Sequence, residues 1–292
     1  MSQSFKTLQR MPPVISQHWV GDGFPVRTLL AYGTGSDLMQ SPFLLLDYAG
    51  PHHFAPTERQ LGVGEHPHRG FETVTIVYSG EVTHRDSSGA GGTIGAGDVQ
   101  WMTAGSGVVH EEFHSRNFAQ NGGVFEVVQL WVNLPAKAKM TAPRYQALTA
   151  DSIANVSLAN EQGTVRVIAG EFQGAHGAAL THTWMQVWDV RLNQGADWQV
   201  QVPNGDSFIV LVLAGEVQVD DQSILRSAQT GIFSLAGEQV RLRSLSDSKL
   251  LILSGQPINE PIVGHGPFVM NTSSEIQQAI QDYRQGKMGK LA

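Results

Sequence analysis

Hydrophobic residues fall along this chain in short runs separated by glycine-rich punctuation, the pattern of strands and tight turns. Val14-Ile15 and the run from Val26 to Tyr32 flank a Gly21-Asp22-Gly23 turn. Phe43-Leu44-Leu45-Leu46-Asp47-Tyr48, set between Ser41-Pro42 and Gly50-Pro51, predicts a buried strand. Residues 73–78 are β-branched almost throughout; they turn at Ser79-Gly80 and return over 81–86. After Gly89-Ala90-Gly91-Gly92 come Thr93-Ile94 and then Val99-Gln100-Trp101-Met102. The strongest strand signal of this half runs from Val124 to Leu134 and stops at Pro135. Short strands so regularly punctuated predict an all-β sandwich or barrel. Residues 136–143 read as a linker, which divides the chain into domains at 1–135 and 136–292.

The second half repeats the first. Ala214-Gly215-Glu216-Val217 echoes Ser79-Gly80-Glu81-Val82, and Thr230-Gly231-Ile232-Phe233 stands where Ala96-Gly97-Asp98-Val99 stood. Near the end the period changes. Thr272-Ser273-Ser274-Glu275 is a capping box, and Ile276, Ala279, Ile280 and Tyr283 lie on one helical face, with Gly286 as the stop. A C-terminal helix of about three turns follows from that spacing.

Composition sharpens the picture. There are 32 glycines in 292 residues, and charged residues make up only 15%, below the ~25% of average domains. The net charge of −7 with no basic run speaks against direct nucleic-acid binding. With no cysteine, any metal must be held by histidine, carboxylate or water. The N-terminus lacks the pattern of a secretory signal and no apolar run is long enough for a membrane span, so a cytoplasmic location is the expectation.

Five of the 11 histidines crowd between positions 66 and 114: His66, His68, His84, His110 and His114. Residues i and i+2 of a strand share a face. His66-Pro67-His68 and His110-Glu111-Glu112 on neighbouring strands would therefore converge on one ion inside a barrel. Three imidazoles and a carboxylate suit iron, manganese, nickel, copper or zinc. Spacing alone leaves the fourth ligand open among Glu72, Glu112 and His114. His52-His53, placed in a loop, points two ways and is a poor ligand pair, while His18, His176 and His182 read as isolated histidines. Counting from the shared Gly-Glu-Val turn puts Gln201 and Pro203 where the second half would need His66 and His68, and residues 243–247 hold no histidine. Phe43, Trp101 and Met102 are the expected lining of a substrate pocket.

Longer motifs carry a family resemblance. His66-Pro67-His68-Arg69-Gly70-Phe71-Glu72-Thr73-Val74, Gln100-Trp101-Met102-Thr103-Ala104-Gly105, Gln129-Leu130-Trp131-Val132-Asn133-Leu134 and Gly264-His265-Gly266-Pro267-Phe268-Val269-Met270-Asn271-Thr272, with Ser41-Pro42-Phe43-Leu44-Leu45-Leu46-Asp47, resemble the pirin family. The resemblance implies a bicupin, two antiparallel jelly-roll β-barrels, with one non-haem Fe(II) in the first and none in the second. It implies His66, His68, His110 and Glu112 as ligands, with Glu72 and His114 close by but off the metal. The hairpin over 85–92 departs from the family pattern, and nothing functional is carried onto it. Two activities are implied. One is quercetin 2,3-dioxygenase chemistry on a flavonol and O₂, with Glu112 as ligand and proton acceptor. The other is iron-dependent regulation of protein partners, metabolic enzymes or transcription factors.

Overall fold

A computed structural model describes residues 4–13 and 15–291 of the chain. The first half contributes β1 (Leu8–Arg10), β2 (His18–Val20), β3 (Phe24–Ala31), β4 (Phe43–Phe54), β5 (Gly62–His68) and β6 (Phe71–Ser79). It continues with β7 (Val82–Asp86), β8 (Gly91–Ile94), β9 (Val99–Thr103), β10 (Val108–His114), β11 (Gly123–Asn133) and β12 (Arg144–Leu148). The second half adds β13 (Ala154–Ser157), β14 (Gly163–Ala169), β15 (Glu171–Phe172), β16 (Ala175–His176), β17 (Met185–Leu192), β18 (Asp197–Gln201) and β19 (Ser207–Ala214). Then come β20 (Glu216–Gln218), β21 (Ile224–Arg226), β22 (Gln229–Phe233), β23 (Gln239–Ser244), β24 (Ser248–Gly255), β25 (Val263–His265) and β26 (Phe268–Met270). Helices are short: α1 (Asp37–Gln40), α2 (Arg116–Asn121) and α3 (Ser273–Arg284). None is long and apolar enough to cross a membrane.

The duplication read from the glycine pattern is carried out strand for strand. One seven-stranded sheet runs β12-β9-β6-β11-β4-β3-β2, with a four-stranded partner β5-β10-β7-β8. The other pair runs β1-β22-β19-β24-β17-β14-β13 and β18-β23-β20-β21. This is the all-β bicupin expected, with α3 as its C-terminal helix.

The expected break between 135 and 136 does not describe the division. One compact unit comprises residues 1–15, 29–44 and 151–258, and the other 16–28, 45–150 and 259–292. Each end of the chain joins the barrel encoded by the opposite half: β1 extends the second-half sheet, and the 259–292 segment packs into the histidine-bearing unit. A linear boundary could not express this exchange. Smaller expectations also shift. Val14 lies outside the described residues, and Ile15 is exposed and in no strand. His52 and His53 belong to the end of β4 rather than a loop, and the supposed linker holds a 3-10 turn over Ala136–Ala138.

In the histidine-bearing unit, Phe24, Val26, Ala49, Val77, Val82, Ile94, Phe125 and Val127 join both sheets in one buried cluster. The α3 start is capped as predicted: the Thr272 hydroxyl accepts from Glu275 N–H while the Glu275 carboxylate accepts from Thr272 N–H. Ile276 and Ala279 pack on Val109, Phe268 and Met270. Tyr283, expected on that face, is 40% exposed. Asp282 is buried instead, in an ion pair with Arg69 at 2.9 Å.

Candidate metal centre

The two histidine pairs meet through strand register. In the β5–β10 pairing His110 stands opposite His66, but Glu112 stands opposite Val63. Three residues of β5 therefore span two of β10, a bulge at Gly64-Glu65. Such bulges re-aim side chains beside functional sites. β5 is the edge of its sheet, which is where Pro67, lacking an N–H, is tolerated. Ring centroids of His66, His68 and His110 lie 4.2–4.9 Å apart. Their ligand atoms lie within 4.8 Å of one another, and a second group meeting that limit, His84, His110 and Glu112, overlaps the first at His110. Among the described residues the other unit holds no such group.

Each of the three imidazoles has its Nδ1 engaged. His66 Nδ1–H donates to Gly64 O at 2.8 Å and His68 Nδ1–H to Pro267 O at 3.3 Å. His110 Nδ1 lies 3.2 Å from His84 Nδ1, and His84 Nε2 lies 3.1 Å from Asp86 Oδ2. The network assigns one proton per ring, donated from His110 to His84 and from His84 to Asp86. His84 thus has both nitrogens occupied and acts as a support rather than a ligand. His110 Nε2 is buried with no hydrogen-bond partner. A buried acceptor left unsatisfied in this way is what a metal ligand looks like without its ion. Burial, and after it the neighbouring His66, pushes His68 down to about 3. Burial and then His68, His66 and His84 hold His110 well below the ordinary imidazole range. Both rings are therefore neutral near neutral pH, as ligation requires. Burial works against Asp86, but hydrogen bonds from His84 and Ser88 win and keep its carboxyl low.

The carboxylates separate by strand face. Thr75 Oγ1 and Gln100 Nε2 each lie 3.3 Å from Glu112 Oε1, so Thr75 marks the inner face of β6. Glu72 differs from Thr75 by an odd number of residues and projects from the opposite face. There it accepts from Thr103 Oγ1 at 2.6 Å, and burial pushes it up to about 7. His114 shares a face with Glu112 but is enclosed by Phe54 and Phe125, with ring centroids at 4.6 and 4.5 Å, and its Nε2 bonds Gly23 O at 2.9 Å.

His66, His68 and Glu112 also line a cavity of about 430 Å³, walled by Val20, Phe24, Val26, Ala49, Val63, Val127, Trp131 and Pro267. That falls in the roughly 300–1,000 Å³ range of small-molecule sites. Asp47 and Gln129 are polar exceptions in its wall. Phe43, Trp101 and Met102 do not line it. Trp101 alternates with Gln100 and so points away from Glu112; Met102 packs on Ala104, Val108 and Tyr145; Phe43 belongs to the other unit. His84, Asp86, Trp131 and Pro267 are site residues that sequence reasoning did not assign. Their only signal was membership of the histidine cluster, the 85–92 hairpin and the long motifs.

Comparison with known proteins shows the family. The Pirin family model matches residues 24–132 and the Pirin C-terminal cupin domain model residues 187–289. A Pseudomonas aeruginosa protein provisionally named a quercetin 2,3-dioxygenase is 53% identical, over 93% of this chain and 94% of its own. Rat pirin is 36% identical over 92% of this chain and 89% of its own. A crystal structure of quercetin 2,3-dioxygenase from Acinetobacter baumannii superposes with a TM-score of 0.96 at 52% identity, covering 99% of this chain and 100% of that one. On matched length, identity and shared fold alike, the chain belongs to the pirin family.

Proposed function

We propose that the chain is a metal-dependent oxygenase of the quercetin 2,3-dioxygenase type. His66, His68, His110 and Glu112 hold one divalent ion, iron before manganese, nickel, copper or zinc. The observation that carries this reading is continuity: His66, His68 and Glu112 belong both to the ligand groups and to the wall of an apolar cavity. The donor set fits such an ion, with three imidazoles fixed by their Nδ1 atoms and one carboxylate. The ion would supply Lewis acidity toward a substrate hydroxyl and a centre for oxygen chemistry. The protein's own part is to bind, orient and keep dry. Phe24, Val26, Val127 and Trp131 exclude water from a planar ring system. Glu112, steadied by Thr75 and Gln100, faces the same space and is the base available to a flavonol hydroxyl. The names carried by the Pseudomonas and Acinetobacter relatives support the same substrate class.

The test is anaerobic metal analysis followed by oxygen uptake with quercetin. One ion per chain, oxygen consumption and carbon monoxide release, all lost in His66→Ala and His110→Ala, are expected. Flavonol binding without carbon monoxide release, across the iron, manganese, nickel and copper forms, would leave a binding module that regulates partner proteins.

A further inference from the structure

The inner face of the large sheet is crossed by a polar row that the ligand set does not account for. Gln100 stands opposite Thr75 on the neighbouring strand, and Thr75 opposite Gln129 on the next. Beyond β11 the sheet continues to β4, which carries Asp47, and to β3, which carries Thr28. Thr75 Oγ1 lies 2.6 Å from Gln129 Oε1, and Thr28 Oγ1 donates to Asp47 Oδ1 at 2.6 Å. Around this row the wall is apolar: Val26, Ala49, Val127 and Trp131.

Asp47 is held unlike the structural aspartates of the same unit. Asp86 receives His84, Ser88 N–H and Ser88 Oγ, and Asp98 receives Gly95 N–H on one oxygen and Ala150 N–H on the other. Asp47 receives a single hydroxyl. Its second oxygen and the far end of the Gln129 amide have no hydrogen-bond partner among the described residues, and both residues line the cavity. Burial pushes the Asp47 carboxyl up, against the Thr28 hydroxyl and the charge of His18. Half-satisfied polar groups in an apolar wall are costly unless a ligand completes them.

We propose that Asp47, with the free end of the Gln129 amide on the neighbouring strand, is the specificity anchor of the cavity. It selects polyhydroxylated planar ligands by accepting a hydrogen bond from a ring hydroxyl other than the one presented to the metal centre. This rests on the cavity being the substrate site. A ligand without that hydroxyl still fills the apolar volume but leaves the carboxylate unpaired, and sites of this kind discriminate strongly against such analogues.

The experiment compares quercetin with 3-hydroxyflavone, which keeps the hydroxy-ketone end and lacks the other hydroxyls. Binding to the metal-loaded protein is followed without oxygen by quenching of tryptophan fluorescence, Trp131 being in the wall. Asp47→Ala should weaken quercetin about tenfold, the worth of a hydrogen bond to a charged group, and leave 3-hydroxyflavone within twofold. Asp47→Asn, which keeps shape and one acceptor, should show a loss of a few fold for quercetin alone and carries the test if the alanine variant does not fold. Equal loss for both flavonols, or none for either, overturns the anchor while the oxygenase reading stands. Wild-type protein with one metal per chain that binds neither flavonol overturns both.

Discussion

Asp86→Asn reports on the metal centre without touching a ligand. His84 bridges Asp86 and His110, and the side chains of His84 and Asp86 are 0% and 2% exposed. The asparagine keeps an acceptor for His84 Nε2–H but removes the charge that polarises the pair. A hydrogen bond to a charged group contributes about 1.5–3 kcal/mol against about 1 for a neutral one, so roughly 1 kcal/mol should disappear from the ligand's support. Outer-shell substitutions of this kind cost about 10–100-fold in metal affinity; the lower end, about tenfold or ~1.4 kcal/mol, is expected here. His84→Phe goes further. A phenyl ring can keep the stacking on Tyr145, where the imidazole lies at 5.2 Å and 16°, but His110 Nδ1–H loses its buried acceptor. The loss should approach 100-fold, about 2.7 kcal/mol. Apo protein titrated with zinc or iron(II) against a chromophoric chelator gives the numbers, and thermal melting of the apo forms shows whether the fold is intact. Folded His84→Phe protein with wild-type metal affinity would refute the Asp86–His84–His110 support.

Two further substitutions test how the unit is tied together. Lys139→Met should destabilise by about 3 kcal/mol in urea unfolding, because Gly70 O, Val269 O and Asn133 Oδ1, at 2.8–2.9 Å from Nζ, would lose their shared buried donor. Asp282→Ala should cost about 3 kcal/mol and speed protease cleavage within residues 259–292, since it leaves Arg69, a side chain 5% exposed, without its carboxylate; unchanged cleavage would show that α3 is held by its apolar face alone.

Local rules carried most of the fold. Strand positions followed from β-branched runs and glycine turns, and α3 followed from Thr272, Glu275, Ile276 and Ala279 because caps and periodicity act within a few residues. The duplication was legible because the turn at Gly80 and the turn at Gly215 obey the same backbone requirement, with φ of 85° and 87°. What was not legible depends on contacts between distant segments. Nothing local to Leu8–Arg10 says that it pairs with β22, and nothing local to Pro267 says that its carbonyl meets His68. Trp101 was misplaced for a related reason: sequence proximity to the site is not facing, and one residue along a strand inverts the face. Met102 shares the face of Gln100 but packs on Ala104, Val108 and Tyr145 instead. The support role of Asp86 was hidden because nothing functional was carried onto its hairpin, whereas the geometry needs only one carboxylate opposite His110, which the β7–β10 register supplies.

The same alternation of faces yields a paired prediction that separates the two glutamates left open by spacing. Glu72 is 0% exposed, and burial raises it from 4.5 to about 7 against the opposing pull of Thr103, Trp101 and Arg144. An acid raised in the folded state binds more protons folded than unfolded between those two values. The Glu72 contribution to stability is therefore fully present below about pH 4.5, falls as pH rises toward 7, and is flat above. The span corresponds to up to about 3 kcal/mol. The lowered imidazoles of His68 and His110 contribute in the opposite sense, so the difference between variant and wild type isolates Glu72. Glu72→Gln has nothing to ionise, so its stability should match the wild type near pH 4.5 and exceed it near pH 8, with metal stoichiometry unchanged. Glu112→Gln should do the reverse: it weakens metal binding strongly, because it removes the carboxylate that faces His110, and leaves the Glu72 contribution between pH 4.5 and 7 in place. Urea midpoints of the chelator-treated proteins across pH 4.5–8, read beside metal content after gel filtration, give both results. A Glu72→Gln protein that loses its metal, or one whose stability tracks the wild type across that window, would put Glu72 back in the site and break the assignment of faces on β6.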